Sequence, residues 1–274
     1  MILGVDHIAL SCEDVVHGAE VLGRVGCRAK FVQEGVPNHP AKRHLLTSYD
    51  QLHSVAYCQA EHSVSVELTQ HSSMLRGAIS PYQVLLNRPL ANATPFVGGL
   101  SSSWKSAWRA ALGCRQPVAA LWHPFHAQFW YDAQCDGPSV GFVRAVLVPI
   151  TELSVSERFW VRGLGCRVVN RGVTEDGYRW ARVAFHAPVL AWSLDIVLAE
   201  SDRADALSYL DDSGFPCLAV ITNRLTEDQD TAMEMGGRDA SEEFALEVGG
   251  KPLEIVVLRG PDNELVELIE FQHS

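Results

Sequence analysis

The hydrophobic period changes several times along this chain, and each change marks an element. Residues 4–11, GVDHIALS, form an apolar run with a histidine, His7, set inside it, and read as a strand. A polar break at Asp14 leads into a segment that reads as a helix and stops at Gly26, where a left-handed helix end suits a residue without a side chain. A second strand-like run follows. HSVSVELTQH at 62–71 then alternates with a period of two, as a half-buried strand does.

The same order returns. In RAVLVPITELSVSERFWVRGLGCRVVNRG (144–172) the break is Glu152, and Gly165-Cys166-Arg167 echoes Gly26-Cys27-Arg28. YRWARVAFHA and AWSLDIVLAE supply the later strands of that unit. Residues 215–271 hold a complete further unit, closed by the turn-forming run Gly260-Pro261-Asp262-Asn263. The remaining stretch is less regular. It offers a helix, SSSWKSAWRAALG (101–113), and strands PVAALW and AQFWYDA, but no clear first strand. Self-similarity of this kind predicts an α+β fold of four βαβββ modules, 1–71, 72–142, 143–203 and 204–274. By sequence order they group into an N-terminal half, 1–142, and a C-terminal half, 143–274.

Composition narrows the classes. Of 274 residues, 47% are hydrophobic and 20% charged, which suits a packed core and argues against disorder. The net charge of −11 repels a phosphate backbone, so nucleic acid is not an expected partner. No apolar run approaches the roughly 18 residues of a membrane helix, so no membrane partner is expected. MILGVDHIAL has no basic region or cleavage site and reads as a strand, which points to the cytoplasm. The seven cysteines, Cys12, Cys27, Cys58, Cys114, Cys135, Cys166 and Cys217, contain no CxxC pair and read as reduced, buried thiols.

The run DHIAL at a strand start, then Asp14, a helix, a glycine and a later VEL strand resembles the vicinal oxygen chelate superfamily. GPDNELVELIEF at 260–271 resembles the last strand of its module. That group includes glyoxalase I, extradiol dioxygenases, methylmalonyl-CoA epimerase and antibiotic-resistance proteins. The resemblance implies that the modules pair into two curved, cleft-forming mixed sheets (glyoxalase/dioxygenase-like), with metal ligands from the first and last strand of each module. Those positions hold His7 and Glu67 in the first module, Ala145 and Val197 in the third, and Cys217 and Glu267 in the fourth. The second module offers none, since His123 and His126 fall in the wrong strands. Pairing the first module with the last would gather His7, Glu67, Glu267 and, as the weakest member, Cys217.

Imidazole with carboxylates suits a divalent ion, Zn, Ni, Mn, Co or Fe. Strict alternation sets His7 on a face with Val5, Ala9 and Ser11, and Glu267 with Leu265, Ile269 and Phe271, an apolar face on which an unpaired carboxylate is costly. A histidine or glutamate in a strand is also an ordinary structural residue, and the ligand roles come from the resemblance. On that basis the expected activity is a metal-dependent isomerase or lyase on a small oxygenated metabolite, by enediolate-type proton transfer. His7 and Glu67 would be ligands, and Glu267 a ligand that also acts as base. One alternative is an extradiol-type dioxygenase on a catechol or hydroquinone, against which the absence of a second histidine counts. Another is a metal-free protein that sequesters a drug or aromatic molecule, with one or two of the strand residues Trp122, Trp130, Trp180 and Trp192 lining its cleft. Trp104 and Trp108, four apart on one helix, read as core. His39, His44, His53, His62 and His71 read mostly as surface residues. The chain is expected to act as a monomer or homodimer.

Overall fold

The computed structural model describes residues 1–72, 80–90, 93–96, 102–134, 142–185, 194–202 and 207–272. Cys135 and Trp192 lie outside them. The first module follows the expected order: β1 (Ile2–Ser11), α1 (Val15–Arg24), β2 (Arg28–Pro37), β3 (Leu52–Gln59) and β4 (Ser65–Gln70). The polar break before α1 is a cap, the Asp14 carboxylate accepting the His17 backbone N–H at 2.9 Å. The glycine stops are also in place, with Gly26 at φ +89° and Gly165 at φ +73°, a region that penalises a side chain.

The second module departs from the pattern. It runs β5 (Gln83–Leu86), β6 (Ala93–Pro95), α2 (Ser102–Leu112), β7 (Pro117–Trp122) and β8 (Ala127–Asp132), so its helix follows the second strand instead of the first. The third comprises β9 (Val143–Ile150), α3 (Leu153–Arg158), β10 (Arg167–Val173), β11 (Arg179–Ala184) and β12 (Asp195–Glu200). The fourth comprises β13 (Cys217–Thr222), α4 (Leu225–Glu234), β14 (Asp239–Ala240), β15 (Phe244–Val248), β16 (Lys251–Arg259) and β17 (Leu265–Phe271). No helix among the described residues is long and apolar enough to cross a membrane.

Two mixed sheets result. One runs β14-β16-β17-β13-β1-β4-β3-β2, with β15 beside β16; the other runs β10-β11-β12-β9-β5-β8-β7-β6. The first and fourth modules therefore share a sheet through the antiparallel pair β1–β13, and the second and third share one through β5–β9. This division cuts across the sequence halves 1–142 and 143–274. The first sheet bends until its ends meet, Gly249 N–H of the β15–β16 turn donating to Gln33 Oε1 of β2 at 3.0 Å.

The sheets share one core. Ile8, Leu10, Val66, Leu68, Leu218 and Leu268 of the first sheet belong to the same buried cluster as Val84, Val146, Ile196 and Leu198 of the second, joined by Val15 and Leu22 of α1. The opposite faces differ. On the second sheet, Leu85, Trp130, Ala145, Leu147 and Val197 are covered by Trp104, Ala107, Trp108 and Ala111 of α2. Trp104 and Trp108 are thus core, as their spacing predicts, and Trp104 Nε1–H donates to Ser201 Oγ at 3.1 Å. On the first sheet the equivalent face is an open cleft.

Truncating Trp108, which is fully buried, leaves a cavity between α2 and its sheet. W108A is expected to cost about 3–5 kcal/mol. Denaturant unfolding checks this: the midpoint should fall while the slope stays unchanged, since the mutation leaves the surface exposed on unfolding nearly as before.

Candidate functional site

β1 does not keep strict alternation. It pairs with β13 as Val5↔Val220 and then His7↔Ala219, two steps on one strand against one on the other, so Asp6 is the extra residue of a bulge. Val5 consequently joins the shared core with Ile8 and Leu10, and does not share the His7 face. The bulge lets adjacent residues, Asp6 and His7, both line the cleft.

The neighbouring strands deliver the carboxylates. β4 lies parallel to β1, with His7 opposite Ser65 and Ala9 opposite Glu67. β17 lies parallel to β13, with Ala219 opposite Glu267. The four strands β17-β13-β1-β4 thus carry Glu267, Ala219, His7 and Glu67 on one face. His7 Nε2 is 3.6 Å from Glu67 Oε1 and 3.8 Å from Glu267 Oε2. His7 Nδ1 is 2.8 Å from Asp6 Oδ2, so the other ring nitrogen is fixed from behind. The Tyr57 ring on β3 stands edge-on to His7 at 5.9 Å, and burial and then the Asp6 charge hold its phenol well above the usual range.

Electrostatics follow from this crowding. Burial alone would pull the His7 imidazole down, but Glu67, Asp6 and Glu267 outweigh it and lift its pKa from 6.5 to about 9. Burial raises the Glu67 carboxyl; His7 and Lys42 pull it the other way, and Glu267 adds to the rise. One imidazole therefore faces three acidic groups within hydrogen-bonding or near-contact range.

The cleft has a volume of about 420 Å³, with His7, Glu67 and Glu267 at its floor and apolar walls that include Val55, Leu253 and Ile255. Its aromatic residues are Phe31, Tyr57 and Phe271; no tryptophan lines it among the described residues. Trp122 is in the shared core, and Trp130 and Trp180 lie on the far face of the second sheet. Cys217 is not across from His7. It sits opposite Leu265, two residues along β13 from Ala219, and lines a small adjoining cavity of about 40 Å³. Burial and then the Glu267 charge hold its thiol well above the usual range. His53 and His71 line the same small cavity instead of the surface, their rings stacked at 5.5 Å. Burial, chiefly, lowers their pKa values to about 3 and about 4, so both are neutral. In the second sheet, Ala145 and Val197 are packed under α2 and carry no comparable group.

The fold agrees with solved structures over nearly the whole chain. Glyoxalase I from Zea mays superposes with a TM-score of 0.56 at 14% identity, covering 97% of this chain and 92% of that one. Its V278E mutant gives 0.60 at 14% identity, with the same coverage. A candidate dioxygenase from Bacillus subtilis gives 0.54 at 10% identity, covering 100% of this chain and 86% of that one. This chain has the vicinal oxygen chelate fold. No protein-family model and no curated protein matches it by sequence.

Within the vicinal oxygen chelate fold, a chelating site asks for donors that converge. Ligands sharing an ion at about 2.1 Å in a tetrahedral arrangement stand about 3.4 Å apart. The His7 separations, 3.6 and 3.8 Å, are slightly wider than that. Among the described residues no group of three or more His, Cys, Asp and Glu side chains is preset as a metal cage.

In chelator-treated protein the His7 imidazolium should titrate near pH 9, and in E67Q closer to 6.5, because a carboxylate that holds its proton is gone. Imidazole chemical shifts followed by NMR between pH 5 and 10 check this; a His7 midpoint near 6.5 in the unmutated chain contradicts the geometry.

Proposed function

We propose that this protein is a divalent-metal-dependent lyase or isomerase that moves a proton between adjacent carbons of a small oxygenated metabolite. The observation that supports it best is the placement of His7 Nε2 between Glu67 and Glu267 at the floor of an apolar cleft. The donor set fits a divalent ion such as Zn, Ni, Mn, Co or Fe. Three carboxylic groups, Asp6, Glu67 and Glu267, surround one imidazole, an acidic excess that suits a divalent cation. The Asp6–His7 contact is the arrangement that orients a ligating histidine, since it leaves Nε2 free.

Each residue then has a role. His7 and Glu67 hold the ion, and Glu267 completes the set. An ion bound there supplies Lewis-acid polarisation of a pair of substrate oxygens. Glu267, on the side opposite Glu67, serves as the base that takes a proton from one carbon and returns it to the next. Dioxygenase chemistry on a two-histidine, one-carboxylate iron is disfavoured, because the position across from His7 is Ala219 and Cys217 is offset from it.

The test begins with metal analysis of protein purified without chelators or a nickel column, where about one ion per chain is expected. Uptake at pH 7 to 8 should release about one proton, because His7 must lose the one it holds below about pH 9 before Nε2 can coordinate, and affinity should rise with pH over that range. Calorimetry in two buffers of different ionisation enthalpy reads that proton. D6N should weaken metal binding about 10- to 100-fold. Fewer than about a tenth of an ion per chain, with no activity on addition of Zn, Ni, Mn or Co, overturns the proposal and leaves a metal-free binding protein.

A further inference from the structure

The chain has only four lysines, and three of them, Lys30, Lys42 and Lys251, line this one cleft. None of its eighteen arginines does so among the described residues. The arginines are spent on structure: Arg171 pairs with Glu157, Arg179 with Glu200, Arg182 with Asp195, and Arg224 with Glu227. No ion pair among the described residues engages the three cleft lysines. In a chain of net charge −11, two exposed ammonium groups at one opening, Lys30 and Lys251, with Lys42 further in, are a concentrated positive feature.

Their positions give that spot a shape. Lys30 is on β2 and Lys251 begins β16, strands far apart in the order of the first sheet. The bend of the sheet brings them to one mouth, where the β15–β16 turn docks on β2. There Gly249 N–H donates to Gln33 Oε1. The approach is so close that a Cβ on Gly249 would sit 2.5 Å from the Phe31 ring. Both lysines are exposed, and Lys251 Nζ lies 5.5 Å from the centre of the Phe271 ring. Between mouth and floor, Phe31 and Tyr57 stack with centroids 5.9 Å apart and planes 10° from parallel, which makes a flat apolar wall. Lys42 is deeper and half-buried, bordering the small cavity as well, and its charge pulls the Glu67 carboxyl down.

We propose that the molecule bound in this cleft carries an oxyanion, a carboxylate or a phosphate group, at the end remote from His7, held at the mouth by Lys30 and Lys251, with its apolar body against Phe31 and Tyr57. This deepens the metal-dependent reading and rests on it only for the end of the substrate that meets His7. The mouth carries lysines and the floor carboxylates, so the anionic end is directed to the mouth, and the oxygens of the other end meet the floor where an ion offsets those carboxylates. A lysine ammonium is a compact point charge that takes carboxylate and phosphate alike, where an arginine fork would favour bidentate pairing.

The experiment uses the full chain stripped with chelator, so that no ion takes part in binding. Phenyl phosphate, benzoate and neutral benzyl alcohol are titrated by calorimetry at low and high salt. At least one anion should bind about tenfold more tightly than benzyl alcohol and lose that advantage as salt rises. K30Q/K251Q should remove the preference, while K105Q, on the exposed face of α2, should leave it intact. Preference for phenyl phosphate identifies a phosphoester ligand, and preference for benzoate a carboxylate; either supports the rim. Acetylation of Lys30 and Lys251 read by mass spectrometry should slow in the presence of the preferred anion, with Lys105 as internal control. Equal binding of benzyl alcohol, no binding of either anion at millimolar concentration, or full affinity in K30Q/K251Q overturns the rim. Anion binding by a chain that takes up no metal overturns only the reading of the floor, and metal uptake without anion preference overturns only the rim.

Discussion

The antiparallel pairing of β1 with β13 is the constraint on which the rest depends. It joins residues 2–8 to residues 218–222, more than 200 positions apart, and makes a single sheet of the first and last modules. Because side chains alternate with a period of two, a slip of one residue would turn His7 into the shared core and present an apolar residue to the cleft. The register is held on both flanks. Ile8 and Leu10 on one strand and Leu218 and Val220 on the other are fully buried against the second sheet, and a slip would expose all four. The chemistry of the floor is therefore fixed by apolar residues that never touch it.

The two sheets show how a small change in element order decides where a cleft survives. Both are built as two modules joined through their first strands, and both have a face turned away from the common core. In the second module the helix follows β6, and this carries α2 to the outer face of its own sheet, where Trp104 and Trp108 fill the space. In the first and fourth modules the helix follows the first strand and packs into the shared core through residues such as Val15, Leu22 and Leu225, so the outer face stays open. Loss of ligand-type residues from the second sheet goes with this plugging: a buried carboxylate under two indoles would have no cation and no water.

Much of the fold was legible because local rules agreed with one another. Alternation in residues 62–71, the Asp14 break and the glycines at 26 and 165 each marked an element that the structure contains. The first strand of the second module was not legible, since β5 is four residues long and buried throughout, with no alternation to show. At the site, His7, Glu67 and Glu267 could be picked out by resemblance of their strands, and the structure brings them together. Asp6 was hidden by the rule that found its neighbour: alternation turns it away from His7, and only a bulge, which depends on the partner strand, reverses that. Cys217 was misplaced for the same reason, its position across the sheet being a matter of pairing register. His53, His71 and Lys42 have no local signature at all. They reach the small cavity beside the cleft through β3, the residue after β4 and the short turn of helix at Pro40–Leu45, and tertiary packing alone gathers them.

The charge at the floor explains why proton and ion are alternatives at one atom. Three carboxylic groups beside one mostly buried imidazole are tolerable only if something cationic lies among them. Without an ion that role falls to the proton on His7, with help from Lys42. Nε2 cannot keep a proton and also offer its lone pair, so an ion must displace that proton. Asp6 serves both states, since its bond to Nδ1 stabilises the imidazolium in one and aims the neutral ring in the other. With a divalent ion in place of that proton, the floor would draw oxygen-bearing groups. The rim lysines then add a second positive point at the far end of an apolar wall, and a short molecule bearing oxygens at both ends matches the two.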